Sequence, residues 1–272
     1  MLRRTMISLA AIAAFAAPSQ AATEEEIDTL FEAMRINDLI VLLRDEGLAQ
    51  SADLSEQMFP ERARGWARVV SGIYNVPDLT RSFRQGFGET LADDDITPLI
   101  DFFSSETGAE IVELELAART ALLDPATEEA AKEAYQVMVE ADRERVEFIE
   151  AYVEANDLIE LNVMGGLNSS LAFYNGLLDG GALEMSQDDM LREVWRQEDD
   201  IRSDAGEWLF AYLGLAYRPL DLDALESYVQ LSESEAGADL NSAMFAGFDA
   251  VFQRVSYEVG ASAAQFAEGE DL

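Results

Sequence analysis

No cysteine and no histidine occur anywhere in the chain. The first absence excludes disulfides, thiolate nucleophiles, iron–sulfur clusters and a lipid-bearing amino-terminal cysteine. The second excludes Ser-His-Asp and Cys-His catalysis, zinc sites built on His or Cys and the Glu-x-x-His di-iron bundle. Lysine is nearly missing too. Lys132 stands alone within a helical pattern, and the remaining basic residues are arginines. Since no glycine-rich loop leads into Lys-Ser/Thr, a phosphate-cradling loop is excluded. Strand-like alternation is scarce and β-branched residues are few, which leaves helical periodicity as the dominant pattern. Beyond residue 21 the longest uncharged apolar stretch, Trp208 to Tyr217, is far too short to span a bilayer.

What is abundant is acid. The chain holds 54 acidic and 18 basic residues. Its first residues carry the basic exception: Arg3 and Arg4 precede an apolar run from Ile7 to Ala16, then Pro18 and Ser19-Gln20-Ala21. Charge, apolar stretch and small residues in that order read as a cleavable signal peptide over residues 1–21. Arg3-Arg4 is also a weak hint of twin-arginine export. Removing this segment takes away two arginines and no acid, leaving 16 cations against 54 acids and a net charge of −38. Such a surface repels nucleic acid and anionic lipid and suits basic partners, cations or a saline medium. The expected location is the periplasm, with no stable membrane insertion after cleavage.

Helix punctuation is frequent. Thr23 with Glu26 forms a capping box ahead of Ile27, Leu30 and Phe31. Asn37 is a candidate cap for the helix that Gly47 closes. Pro60, Pro77 and Asp124-Pro125 suit first turns, and Ser186 with Asp189 opens a helix carrying Met190, Val194 and Trp195. The helix starting at Asp124-Pro125 is expected to run unbroken to about residue 155. Met164-Gly165-Gly166, Gly176 and Asp179-Gly180-Gly181 suggest a loosened or broken helix and a mobile loop.

A faint internal repeat is visible. Asn37-Asp38-Leu39-Ile40 recurs as Asn156-Asp157-Leu158-Ile159, and Ser105-Glu106-Thr107-Gly108-Ala109 recurs as Ser234-Glu235-Ala236-Gly237-Ala238, with Trp66 falling on Trp195. The expected fold class is therefore all-α, a helical bundle of hairpin repeats in which two related halves are joined by a long helix. The expected divisions are a signal peptide at 1–21, a first repeat at 23–122, a linking helix at 123–147, a divergent second repeat at 148–266 and a frayed acidic tail at 267–272. An elongated or bilobed molecule is anticipated.

The segment from Asp93 through Ile96-Thr97-Pro98-Leu99-Ile100-Asp101-Phe102-Phe103-Ser104-Ser105-Glu106-Thr107-Gly108 resembles the signature of domain of unknown function 2059, a family of small exported helical proteins of Gram-negative bacteria. Phe102, Ser105 and Gly108 fit that signature, whereas Phe103 and Glu106 stand where it has tyrosine and proline. The second block keeps only Ser234 and Gly237 of it. The resemblance implies an exported all-helical domain and carries no activity with it; with the second block, the expectation is two tandem copies. Read physically, the motif is a helical hairpin whose Ser105 caps the next helix and whose Gly108 permits close approach of another backbone.

Carboxylate chemistry is the catalysis the composition leaves open. A pair of acids about 5–10 Å apart would serve hydrolysis of cell-wall glycans, and Glu113, Glu115, Glu147, Glu150, Glu154, Asp199 and Asp200 are candidates, each against the plainer alternative of a solvated helix face. Asp93-Asp94-Asp95, Asp221-Leu222-Asp223 and Asp199-Asp200 with Asp204 are candidate cation sites without the spacing of a calcium loop. Arg62, Arg64, Arg68, Arg81 and Arg84 form one basic island beside Trp66 and Phe83, either a dock for an anion or a set of internal ion pairs. No residue is singled out as catalytic, cofactor-binding or metal-binding, and no cofactor is expected. The reading is a non-catalytic binding or interaction module of the cell envelope, its partner an envelope protein or small ligand. The alternatives are a carboxylate-only glycan enzyme and a cation-dependent structural protein.

Overall fold

The computed structural model describes residues 22–58, 62–92 and 94–267. The signal-peptide segment, Pro60, Asp93 and the acidic tail from residue 268 lie outside the described residues. Thirteen α-helices and no strand occur among the described residues: α1 Glu24–Ala33, α2 Ile36–Met58, α3 Ala63–Ile73, α4 Val76–Leu91, α5 Thr97–Phe103, α6 Glu106–Ala121, α7 Pro125–Ala141, α8 Arg143–Ala155, α9 Leu158–Asp179, α10 Gln187–Trp195, α11 Glu198–Ala216, α12 Leu222–Ser232 and α13 Glu235–Ala267.

The starts follow local chemistry. Thr23 and Glu26 complete the capping box, with Thr23 N donating to Glu26 Oε2 at 2.8 Å. Asp124 caps α7 ahead of Pro125, and Ser186 accepts from Asp189 N at 3.2 Å to open α10. Elsewhere tertiary contacts override the local signal. Arg35, not Asn37, makes the first elbow, in a left-handed conformation (φ 52°). Gly47 does not close α2, which runs on to Met58 and seats Gly47 against the Tyr74 ring.

The single helix expected from Asp124 to about residue 155 is two helices. The chain breaks at Asp142 (φ −138°, ψ 64°), which caps α8. Arg145, held by Asp142 at 3.0 Å, donates to the carbonyls of Tyr217 (2.6 Å) and Leu220 (2.7 Å) just past the end of α11. The break thus satisfies backbone acceptors that α11 leaves open.

Of the glycine-rich stretch expected to loosen, Gly165, Gly166 and Gly176 lie in an unbroken helix, whereas Asp179-Gly180-Gly181 does end it, with Gly181 left-handed (φ 83°). Its glycines let α9 and α13 meet backbone to backbone. A Cβ on Gly176 would lie 2.2 Å from the Tyr257 carbonyl oxygen, and one on Gly260 would lie 2.3 Å from that of Phe173. Only a missing side chain permits this spacing.

The two Ser-x-x-Gly corners are built alike. Ser105 Oγ donates to Phe102 O at 2.6 Å and accepts from Gly108 N at 3.1 Å; Ser234 Oγ donates to Leu231 O at 2.6 Å and accepts from Gly237 N at 3.1 Å. A Cβ on either glycine would collide with a carbonyl oxygen, of Phe102 at 2.1 Å or of Leu231 at 2.0 Å. Replacing either serine by alanine removes one helix cap and is expected to cost about 1 kcal/mol, measurable by urea denaturation.

The packing does not make two lobes. One core holds Ile27, Phe31, Phe83 and Phe103 together with Tyr217, Leu225, Val251 and Val255. The halves interlock, because α13 packs along α4 and α9 while α6 packs against α11. The expected equivalence of Trp66 and Trp195 is not reproduced. Trp66, in the first turn of α3, is buried, whereas Trp195, the last residue of α10, is exposed.

Candidate functional site

The most unusual polar group sits where α6 meets α8, α11 and α12. Glu115 projects from α6 among four tyrosines: Tyr152 of α8, Tyr212 of α11, Tyr217 just past its end, and Tyr228 of α12. Tyr217 OH donates to Glu115 Oε1 at 2.6 Å, and Tyr152 OH donates to Tyr228 OH at 3.0 Å. The rings brace one another, with Tyr152 and Tyr228 centroids 4.8 Å apart and Tyr217 edge-on to both. Phe102 of the corner motif stacks on Tyr228 at 5.7 Å.

Burial pushes the Glu115 carboxyl up to about 7, against the pull of hydrogen bonds from Tyr217 and Tyr228. Burial also raises the Tyr152, Tyr212, Tyr217 and Tyr228 phenols, and the Glu115 charge raises them further. One turn along α6, Arg119 grips Glu46 of α2 with two bonds of 2.7 and 2.9 Å and lies over the Trp208 ring. Chemically, Glu115 is a carboxyl poised to titrate near neutrality, but its immediate partners are neutral phenols. The two-carboxylate glycosidase mechanism needs a second carboxyl across a sugar. The nearby Glu46 carboxylate is occupied by Arg119.

The other candidate acids are exposed. Glu150 and Glu154 line an open groove of about 460 Å³ at the α8–α9 elbow, with Asp157, Glu160, Arg202 and Phe210. Asp157 turns that elbow in a left-handed conformation (φ 48°). Glu113 lines a smaller concavity of about 280 Å³ with Arg35 and Asp38 at the first elbow. Glu147 pairs with Arg143 at 3.2 Å, and Asp199 and Asp200 stand in the exposed first turn of α11. Among the candidate cation sites, Asp95 accepts from Thr97 N and Asp221 caps α12 by accepting from Ala224 N. No group of three or more acids among the described residues is arranged to hold a metal ion.

Three arginines of the basic island are engaged within the chain. Arg62 donates to Phe266 O and lies 4.0 Å over the Phe266 ring. Arg81 pairs with Asp78 at 2.6 Å, and Arg84 pairs with Asp28 and Glu24 above the Phe31 ring. Arg64 and Arg68 are exposed.

Sequence reasoning missed one surface. α10 buries Met190 and Val194, with Val194 packed against Val163 and Leu167 of α9. Its next stripe stays in solvent: Leu191 is 38% and Trp195 55% exposed, and Met164 of α9 is 49% exposed. A tryptophan so placed is uncommon, because its large apolar face gains most from burial. The sequence signal was present, since Leu191 and Trp195 are four residues apart beside the buried pair.

Residues 77–136 match the sequence model of a family described as "Uncharacterized protein conserved in bacteria (DUF2059)". The match begins in α4, contains the Ser105 corner and Glu115, and ends in α7; it does not extend to the second half. No curated protein and no solved structure matches the chain.

Proposed function

We propose that this chain, carrying the conserved bacterial domain at residues 77–136, is exported and works in the periplasm as a non-catalytic interaction module of the cell envelope. The single observation that carries this reading is the placement of Glu115. The carboxyl whose environment most resembles that of a catalytic acid is bonded to Tyr217 and walled by Tyr152, Tyr212 and Tyr228. It contributes to neither concavity, whose acids are exposed. Export is supported by the charge-apolar-small pattern of residues 1–21. No helix among the described residues is long and apolar enough to cross a membrane.

We further read α1–α6 and α8–α13 as two interlocked copies linked by α7. Support comes from the matching hydrogen bonds at Ser105 and Ser234 and from a left-handed residue, Arg35 or Asp157, at the first elbow of each. Purified exported protein incubated with peptidoglycan or soluble polysaccharide is expected to leave both intact. Turnover that disappears in Glu115→Gln would establish a carboxylate enzyme instead.

A further inference from the structure

We propose that the outer stripe of α10, Leu191 and Trp195, docks a basic amphipathic helix of a partner protein. The proposal rests on the interaction-module reading and names its surface and the chemistry of its partner.

The first argument is what covers α3, the short helix that the two-copy reading sets opposite α10, although Trp66 and Trp195 stand at different turns of the two. Trp66 of α3 is 1% exposed because the last turns of α13 lie over it, with Phe266 at 5.6 Å between ring centroids. Arg62 clamps that contact from above the Phe266 ring. The cover is therefore one helix end that presents an aromatic side chain. In the two-copy reading α6 takes the place of α13, but it stops at Ala121, and the α7 that follows packs against α11. α10 rests on α9, and Leu191 and Trp195 stay in solvent. An external amphipathic helix laying apolar residues on this stripe would complete the same kind of contact.

The second argument is charge. Between Glu184 and Asp204 the sequence has eight acids and three arginines. Arg192 pairs with Asp189, Arg196 with Glu193, and Arg202 with Glu160 and Glu198. Glu184, Asp188, Asp199, Asp200 and Asp204 remain exposed in α10, the segment before it and the first turns of α11. An arginine- or lysine-rich helix complements this rim and meets an exposed indole suited to cation–π contact. A second copy of the chain would bring like charge to like charge, so self-association is disfavoured.

The test is in-cell photocrosslinking of the full chain in the bacterium that makes it. A photoreactive residue replaces Trp195, Leu191 or, as a distant comparison, the 67%-exposed Val137 of α7. The expected result is a crosslink from positions 191 and 195 to another protein, with the captured peptide basic and patterned as an amphipathic helix. Trp195→Ala is expected to reduce recovery of that protein about tenfold, as removal of a tryptophan anchor does, and Asp199→Asn with Asp200→Asn to weaken it. Circular dichroism should be unchanged in both variants, because the altered side chains are exposed. Capture of a second copy of this chain, or of an acidic segment, overturns the proposal. Crosslinks from Val137 alone overturn it while leaving the interaction-module reading intact. Crosslinks from none of the three positions overturn both.

Discussion

Glu115→Gln is expected to be more stable than the natural protein at pH 8, by roughly 3 kcal/mol, and equally stable near pH 4. The carboxyl has an ordinary value of 4.5 when the chain is unfolded and about 7 when it is folded. Its raised folded value means that the native state holds the proton more tightly than the unfolded state does. The stability this confers is fully present below pH 4.5, falls as pH rises, and is gone above about pH 7, where a partly buried carboxylate must be tolerated. Glutamine never ionises, and its oxygen can still accept from Tyr217 OH. The groups facing the carboxyl are Tyr152 of α8, Tyr212 and Tyr217 of α11 and its end, and Tyr228 of α12, with the Arg119–Glu46 pair one turn away. None of these phenols ionises in the window, so the difference between the two proteins isolates Glu115. In thermal melts the gap at pH 8 corresponds to about 6–12 °C. Parallel stability profiles from pH 4 to 8 would show that Glu115 is not desolvated as described. Asp78, Asp95, Glu160 and Asp189 act with the opposite sign, since their lowered folded values give stability that is lost only as the solution becomes strongly acidic.

Gly176→Val is expected to destabilise the fold by about 3 kcal/mol or more. Its Cβ would meet the Tyr257 carbonyl at 2.2 Å and the Ala261 amide nitrogen at 2.7 Å. Both are helical backbone, so α9 and α13 would have to separate, and with them the packing that holds α13 across both halves. Gly260→Val should do the same from the other side of the contact. Gly165→Ala is the matched comparison on the same helix. A Cβ there meets nothing within 4 Å, and removing a mid-helix glycine is expected to stabilise by about 0.5–1 kcal/mol. Urea denaturation of the three variants checks the account, and equal effects at positions 165 and 176 would refute the close-packing role.

Much of the helical frame was legible because its causes are local. Thr23, Ser105, Asp124 and Ser186 cap helices through residues two or three positions away, and such bonds leave a signature in the sequence. What was not legible depends on distant residues. The break at Asp142 interrupts a helical pattern that shows no stop, because its reward is Arg145 reaching carbonyls near residue 220. The glycines of α9 looked like helix breakers because the helix they admit lies about eighty residues further on. Glu115 was one acid among 54, and only the arrival of Tyr152, Tyr217 and Tyr228 singles it out. Trp195 was visible as a residue, but its exposure depends on which helices pack over α10, and that is not written locally.

The central claim is that the protein binds a partner and performs no chemistry. Native mass spectrometry of the protein purified gently from the cells that make it tests it most directly, with an aliquot held against peptidoglycan. The account predicts a discrete added mass matching a second, basic polypeptide that dissociates at raised salt, and no loss of substrate. A bare chain that consumes the glycan would contradict it.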